Sequence, residues 1–321
     1  MPATLRALAI PAALVALAAV VAFVAGSRAV AGSERVGAVA AAVVAVLGGV
    51  WMWSRRERRA VLSAADRAWL ADRIPVYASA DARGRARFEA AVSRMLATQV
   101  FEAVGDAAWM EAAWTDERRL AVAAGAAAML HGRPSWRFDT RRTMLLYAER
   151  FDVAYEQDDG EGEYDGMAHA QGPVIFTADA LDAAWAWPDG SNGVLHELAH
   201  LFDYQSDGAD GVPSLLDGAS ADAWTALVRR ETQRIRVGKS ILRGYAATNA
   251  AEFFAVATEV IFERPHPLAR RHPEVYAALA AMYALDPRDA VQAYLDAHAA
   301  DMGASGEREG DEEEQEAVDG K

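Results

Sequence analysis

No cysteine occurs in the 321 residues. That excludes disulfides, thiolate zinc ligands and a cysteine nucleophile together, so any metal must be held by His, Asp or Glu. Lysine is nearly absent as well, with only Lys239 and Lys321, and the formal net charge is −14. Phosphate recognition needs clustered basic side chains, so this balance argues against nucleic acid as a partner. Histidine is scarce too, at seven residues, which makes a chance two-histidine motif uncommon. The length suits one core of roughly 200 to 250 residues plus appendages, without room for a second large one.

Long apolar runs are confined to the amino-terminal end. Residues 7–25, ALAIPAALVALAAVVAFVA, run 19 positions without a charge, and residues 36–53, VGAVAAAVVAVLGGVWMW, run 18 more. Each is close to the length that crosses the hydrocarbon layer as a helix, and Trp51 and Trp53 sit where an interfacial anchor belongs. The stretch between them, GSRAVAGSER, is only long enough to turn. Residues 1–60 therefore read as a transmembrane hairpin that meets the lipid bilayer through residues 7–53. A cleaved signal peptide is the competing reading, but the first run is long for a signal and a second span follows at once. Four arginines in SRRERR flank the second span, against Arg28 and Arg35 in the turn. The positive-inside rule then places both ends, and the domain that follows, on the cytoplasmic side of the inner membrane. At the other end, residues 301–321 carry nine acidic and two basic side chains. With no apolar period, they read as an acidic disordered tail.

Residues 61–300 carry the folded domain. From 61 to about 130 the pattern is helical, with Ser63 and Thr115 as N-caps, a break at Ile74-Pro75, an amphipathic run over 81–100 and a stop at Gly132. His131 reads as a residue of a helix C-terminus. Strand formers follow in TMLLYAE (143–149) and GPVIFTA (172–178), separated by the acidic, glycine-rich DDGEGEYDG. The second of these strands is expected to be an exposed edge that pairs with an extended substrate backbone. The acidic stretch 156–165 before it could favour substrates with a free, positive amino terminus. A further helix is expected over 219–236. The fold class is α+β, mainly helical with a small sheet.

The chemistry concentrates in GVLHELAHLFD, residues 193–203. On a helix, His196 and His200 fall within roughly 40° of each other one turn apart, so both imidazoles can reach one ion. Glu197 lies about 100° round from His196, poorly placed as a ligand but able to touch a water in an open coordination position, which makes it a candidate general base. The neighbours are almost all apolar, so the helix should be buried. A third ligand is needed. The extended histidine pattern is ruled out because Asp203 and Ser206 stand where glycine and histidine would be. A second helix in GYAATNAAEFFAVATEVIFERP, residues 244–265, offers Glu252, Glu259 and Glu263. Glu252 and Glu259 share one face seven residues apart, and local pattern leaves the choice between them open. Asn249 followed by Glu252 also has the form of a capping box. Asp203 and Glu259 are candidates to orient the imidazoles. Trp185 and Trp187 either line the cleft or pack beneath it. His169, His266, His272 and His298 fall outside the motifs and read as surface or loop residues.

Taken in order, GSNGVLHELAHLFD, ADGVPSL, GYAATNAAEFFAVATEVIFERP and HPEVYAALAAMYALDP resemble the zinc metallopeptidase family of the Mlc titration factor A (MtfA), a relative of the gluzincin peptidases. The resemblance covers roughly residues 65–290. It implies a zincin-like metallopeptidase fold and Zn²⁺ held by His196, His200 and Glu252, with Tyr245 at the active site. It further implies peptide or protein substrates, aminopeptidase-type activity, and a possible transcriptional regulator as partner. The apolar hairpin and the acidic tail depart from that family's pattern, and they put the regulator in doubt more than the catalytic core.

Overall fold

Local capping chemistry sets the first helices of the computed structural model, which describes residues 61–299 apart from 137, 139–140, 150, 153–162, 165, 169–171, 204–210 and 212–217. Helix α1 (Ala64–Arg73) opens with a full capping box, in which Ser63 Oγ accepts the Asp66 amide and Asp66 returns a carboxylate to the Ser63 amide. Pro75 ends the run and starts the single turn α2 (Pro75–Ala78), as proline at a first helical position does. Asp81 caps α3 (Ala82–Thr98). The expected hairpin of residues 1–60 and the tail of 301–321 lie outside the described residues. Among the described residues, no helix is long and apolar enough to cross a membrane.

The helical expectation for 61–130 fails at one place. Val100–Val104 is strand β1, paired in parallel with β2 (Thr143–Tyr147) from Val100 opposite Thr143 to Val104 opposite Tyr147. The run VFEAV has strand-forming residues at alternate positions, but five residues are too few for periodicity to outweigh the helix before it, and tertiary pairing decides. Short α4 (Ala107–Ala112) and long α5 (Asp116–Leu130) follow, the second capped by Thr115 and ending at His131. Two residues each form β3 (Phe151–Asp152) and β4 (Glu163–Tyr164), which pair antiparallel with one another. Then come β5 (Gly166–Ala168) and β6 (Val174–Thr177).

The main sheet has the order β1-β2-β6-β5, with β5 alone antiparallel. This corrects the expectation that the strand at 172–178 is the edge. β6 is an inner strand, buried at all four positions, and β5 forms the edge instead. An all-apolar run such as VIFT is what a strand covered on both faces needs, which the sequence reading passed over.

Thr177 closes β6 and caps α6 (Ala178–Ala183). Next come α7 (Gly193–Asp203), α8 (Gly218–Arg236), a 3-10 turn at Gly244–Ala247, α9 (Ala250–Glu263), α10 (Pro265–Arg271), α11 (Pro273–Tyr283) and α12 (Arg288–Ala297). Helices α5, α7 and α9 form the centre. α5 is buried at every residue from Leu120 to Leu130, and small side chains over most of that length let α7 lie close. At Gly125 the approach is closest, since a Cβ there would stand 2.6 Å from Val194 Cγ1. α7 is in turn buried from Val194 through Asp203, and α9 from Phe253 through Glu263. Polar side chains on the faces where α7 and α9 meet are thereby removed from water.

Candidate metal centre

Asn192 fixes where α7 begins. Its Oδ1 accepts the Leu195 amide at 3.1 Å and its carbonyl accepts the His196 amide at 3.0 Å. From that start, His196 and His200 lie one turn apart with rings edge-on, 4.9 Å between centroids and Nε2 atoms 3.2 Å apart. Both residues are 7% exposed, and Glu197 between them is 5% exposed. The predicted geometry of the motif is therefore the observed one.

Two glutamates of α9 reach His196 from opposite sides, Glu252 at Nε2 and Glu259 at Nδ1. Glu252 Oε2 lies 3.0 Å from His196 Nε2, and Glu252 Oε1 lies 3.5 Å from His200 Nε2. Glu259 Oε1 lies 2.7 Å from His196 Nδ1. One ligand atom from each of His196, His200 and Glu252 falls within 4.8 Å of the others. Asn249 does accept the Glu252 amide at 2.9 Å, as the capping reading expected. The Glu252 carboxylate nevertheless turns to the imidazoles, so capping and site geometry use different atoms of one residue.

Glu259 is a convergence point. Besides His196, its two oxygens accept the Arg243 guanidinium at 2.6 and 2.8 Å and the Asn192 amide at 2.7 Å. An ionised carboxylate is an acceptor only, so His196 Nδ1 carries a proton and donates it, which leaves Nε2 as the nitrogen turned toward His200 and Glu252. Asp203, the other expected orienting acid, accepts the Gly211 amide at 3.0 Å.

Burial sets the electrostatics. Glu197 is pushed up to about 7, first by burial and then by the neighbouring carboxylates, against the pull of the two histidines. For Glu252, burial works upward but contacts with His196 and His200 outweigh it and hold the carboxyl down at about 2. For His196, burial disfavours the cation, yet contacts with Glu252 and Glu259 raise it to about 10. Glu197 Oε2 and Glu252 Oε2 are buried with no hydrogen-bond partner, the second being near His196 but off hydrogen-bond geometry, and two imidazole Nε2 atoms face each other. Two histidine nitrogens and a carboxylate oxygen, with a hydrogen-bonded carboxylate behind one ring, fit a divalent metal of the zinc type.

Tyr245 sits in the 3-10 turn with its ring 6.0 Å from that of His196, and it is 43% exposed. It borders the site and remains partly exposed. Trp185 packs beneath, donating its indole N–H to the Ala121 carbonyl at 3.1 Å. His272, expected to be a surface or loop residue, does lie between α10 and α11 but is 1% exposed. Sequence reasoning also missed three residues of the site. Arg243 gave no local signal, because its partner lies on another helix. Asn192 was readable as an N-cap before the motif. At Gly166 of β5, a Cβ would fall 2.6 Å from Glu197 Oε1, so the edge strand passes directly over the glutamate.

Two histidines and a glutamate on packed helices, with a second glutamate buried alongside, form the arrangement that metallopeptidases use. The chain matches the family described as Glucose-regulated metallo-peptidase M90 over residues 50–284, and it belongs to that family. An uncharacterized protein of a Synechocystis species is 31% identical over 235 residues, which cover 68% of this chain and 82% of that protein. The proteins named Mlc titration factor A of Edwardsiella ictaluri and Yersinia pestis are each 32% identical, over 163 and 162 residues, or 45% of this chain. Those matches span 60% and 58% of the two titration factors, less than two thirds of their length.

Proposed function

We propose that this chain is a zinc-dependent peptidase of aminopeptidase type, tethered to the inner membrane with its catalytic domain on the cytoplasmic side. The convergence of one donor atom each from His196, His200 and Glu252 within 4.8 Å, beside a buried Glu197, carries this reading. Bound there, Zn²⁺ would acidify a water and polarise the scissile carbonyl. Glu197, its carboxyl poised near neutrality, takes a proton from the attacking water and passes it to the leaving amine. Gly166 leaves the space in which that carboxylate turns. Glu259, clamped by Arg243, holds the His196 ring in the tautomer whose Nε2 faces the ion. Tyr245, on the open side, is placed to donate a hydrogen bond to the developing oxyanion.

The short edge strand β5 offers backbone groups to an extended peptide beside Glu197. The acidic residues of 156–165 supply negative charge for a substrate amino group. Tethering rests on the apolar runs at 7–25 and 36–53, and orientation on the arginine bias around them. Residues 1–60, 61–300 and 301–321 are accordingly the anchor, the catalytic domain and an acidic tail. A second reading, capture of a transcriptional regulator with zinc mainly structural, is favoured by the name that two relatives bear.

Metal content of the full chain, purified without added metal, tests the first reading. Near one zinc per chain is expected, with far less in folded His196→Ala and Glu252→Ala. A folded parent that holds no zinc and takes none up would remove the peptidase reading and leave regulator capture.

A further inference from the structure

A second buried histidine, remote in sequence from the motif, holds the segment that completes the site. His272 stands at the junction of α10 and α11 and is 1% exposed. Its Nδ1 lies 2.6 Å from Oε2 of Glu231, which is 3% exposed on α8. Arg234 flanks Glu231 at 3.0 Å and also donates to the Arg271 carbonyl at 3.1 Å, and Arg230 lies 3.6 Å from it. The carboxylate accepts, so Nδ1 carries the ring proton and Nε2 presents a lone pair. That lone pair meets the Ile241 amide at 3.2 Å and the Ser240 hydroxyl at 3.1 Å, and Ser240 Oγ accepts the Leu242 amide at 3.0 Å. One imidazole thus secures three successive residues of the strap that leaves α8. The next residue is Arg243, which clamps Glu259, and two further on is Tyr245, whose ring borders His196.

Glutamate, histidine and serine in this order are also the components of a nucleophilic triad, but the geometry argues against that use. The amides beside Ser240 that could stabilise an oxyanion, those of Ile241 and Leu242, are turned inward onto His272 and onto Ser240 itself. Each polar atom of the cluster serves the turn.

We propose that His272, oriented by Glu231, is a positioning residue for the metal centre. It acts through residues 240–242 to keep Arg243 on Glu259, and hence the His196 ring at a fixed angle, and to keep Tyr245 beside it. The proposal rests on the peptidase reading for its effect on turnover, but its structural part can be read without any activity.

The test compares full-length parent, His272→Phe, which keeps a ring and removes both hydrogen bonds, and His272→Gln, whose amide can donate to Glu231 and accept from Ile241. Hydrogen exchange by mass spectrometry reads peptides covering 240–246, and cobalt(II) titration with visible spectra reads the geometry at His196. Exchange at 240–246 is expected to quicken at least tenfold in the phenylalanine variant, with an altered cobalt spectrum and unchanged exchange in α7. Glutamine should restore both. On a peptide substrate, kcat should fall about tenfold with little change in KM. Parent-like exchange and spectrum in folded His272→Phe would overturn the proposal. Should that variant not fold, Ser240→Ala decides: faster exchange at 241–242 supports the clamp, and parental exchange refutes it. A parent that cleaves no peptide yet shows these exchange and spectral changes would sink the peptidase reading and leave the clamp standing.

Discussion

His196 and His272 are both buried, at 7% and 1% exposure, and each gives Nδ1 to a glutamate, at 2.7 and 2.6 Å. Beyond that shared half, the two clusters diverge. On the far side of His272 every neighbouring group is a donor, the Ile241 amide and the Ser240 hydroxyl, and the lone pair is used. On the far side of His196 stand another imidazole nitrogen at 3.2 Å and a carboxylate oxygen at 3.0 Å, the pair of donor atoms that with Nε2 would hold a cation. A buried polar group left unmatched costs about 1–3 kcal/mol, more when charged. Of these two histidines only His196 stands among orphaned carboxylate oxygens, those of Glu197 and Glu252, and a divalent cation there would give them a partner. The comparison separates a cluster whose donor atoms converge on one point from one that is internally complete, although both look like histidine–glutamate pairs.

The sharpest way to break this comparison is Glu197→Gln. If the unpartnered glutamate is a proton carrier, peptidase activity should fall by about 10²–10⁴-fold while zinc content stays at the parental level. Full activity in the zinc-loaded variant would show that the open half of the cluster does no proton transfer. Gly166→Ala should follow in size. Its Cβ would press on a carboxylate oxygen 2.6 Å away, and a displacement on that scale costs up to about 10²-fold in kcat. Steady-state kinetics beside a thermal melt separates this from unfolding, since the strand itself need not be lost. Arg243→Ala tests the half that both clusters share. With Glu259 relieved of its clamp, the affinity for zinc measured by competition with a chelator should weaken about 10–100-fold. Unchanged affinity would mean that the Nδ1 side of His196 does not tune the centre.

The smallest effect concerns Glu263, the remaining α9 carboxylate. Its Oε2 is also unpartnered, but burial raises its pKa from 4.5 to about 8, so that it is largely neutral at pH 7. In the unfolded chain the same group ionises near 4.5. The proton held by the folded form therefore stabilises fully below that value, and its contribution is lost as pH rises from about 4.5 through 8. Glu263→Gln keeps the neutral shape and removes the slope. Melting temperatures of parent and variant should diverge in the variant's favour as pH increases over that interval, and parallel curves would place the ionised form in the folded protein.

Much of the site was legible because its signals are local. Four-residue spacing on one helix brings His196 and His200 together wherever that helix lies, and an unbroken apolar surround announces that it is buried. The caps at Ser63, Asn249 and Thr115 act within one turn and were equally readable. Strand β1 was missed because five residues carry little period, and the edge was misassigned because strand order depends on partners far along the chain. His272 was misplaced for the same reason: nothing in its neighbourhood of sequence reveals Glu231, 41 positions away.

By itself, then, the sequence determined that metal chemistry here must run on histidine and carboxylate, that two imidazoles share a helical face, and that a glutamate stands beside them. Only the tertiary structure decided the division of labour between Glu252 and Glu259, brought Arg243 onto the second, and laid Gly166 across Glu197. The reason is geometric. Helical periodicity fixes which residues share a face, but which nitrogen of His196 each carboxylate meets depends on the offset between α7 and α9. That offset is set by packing across the whole core.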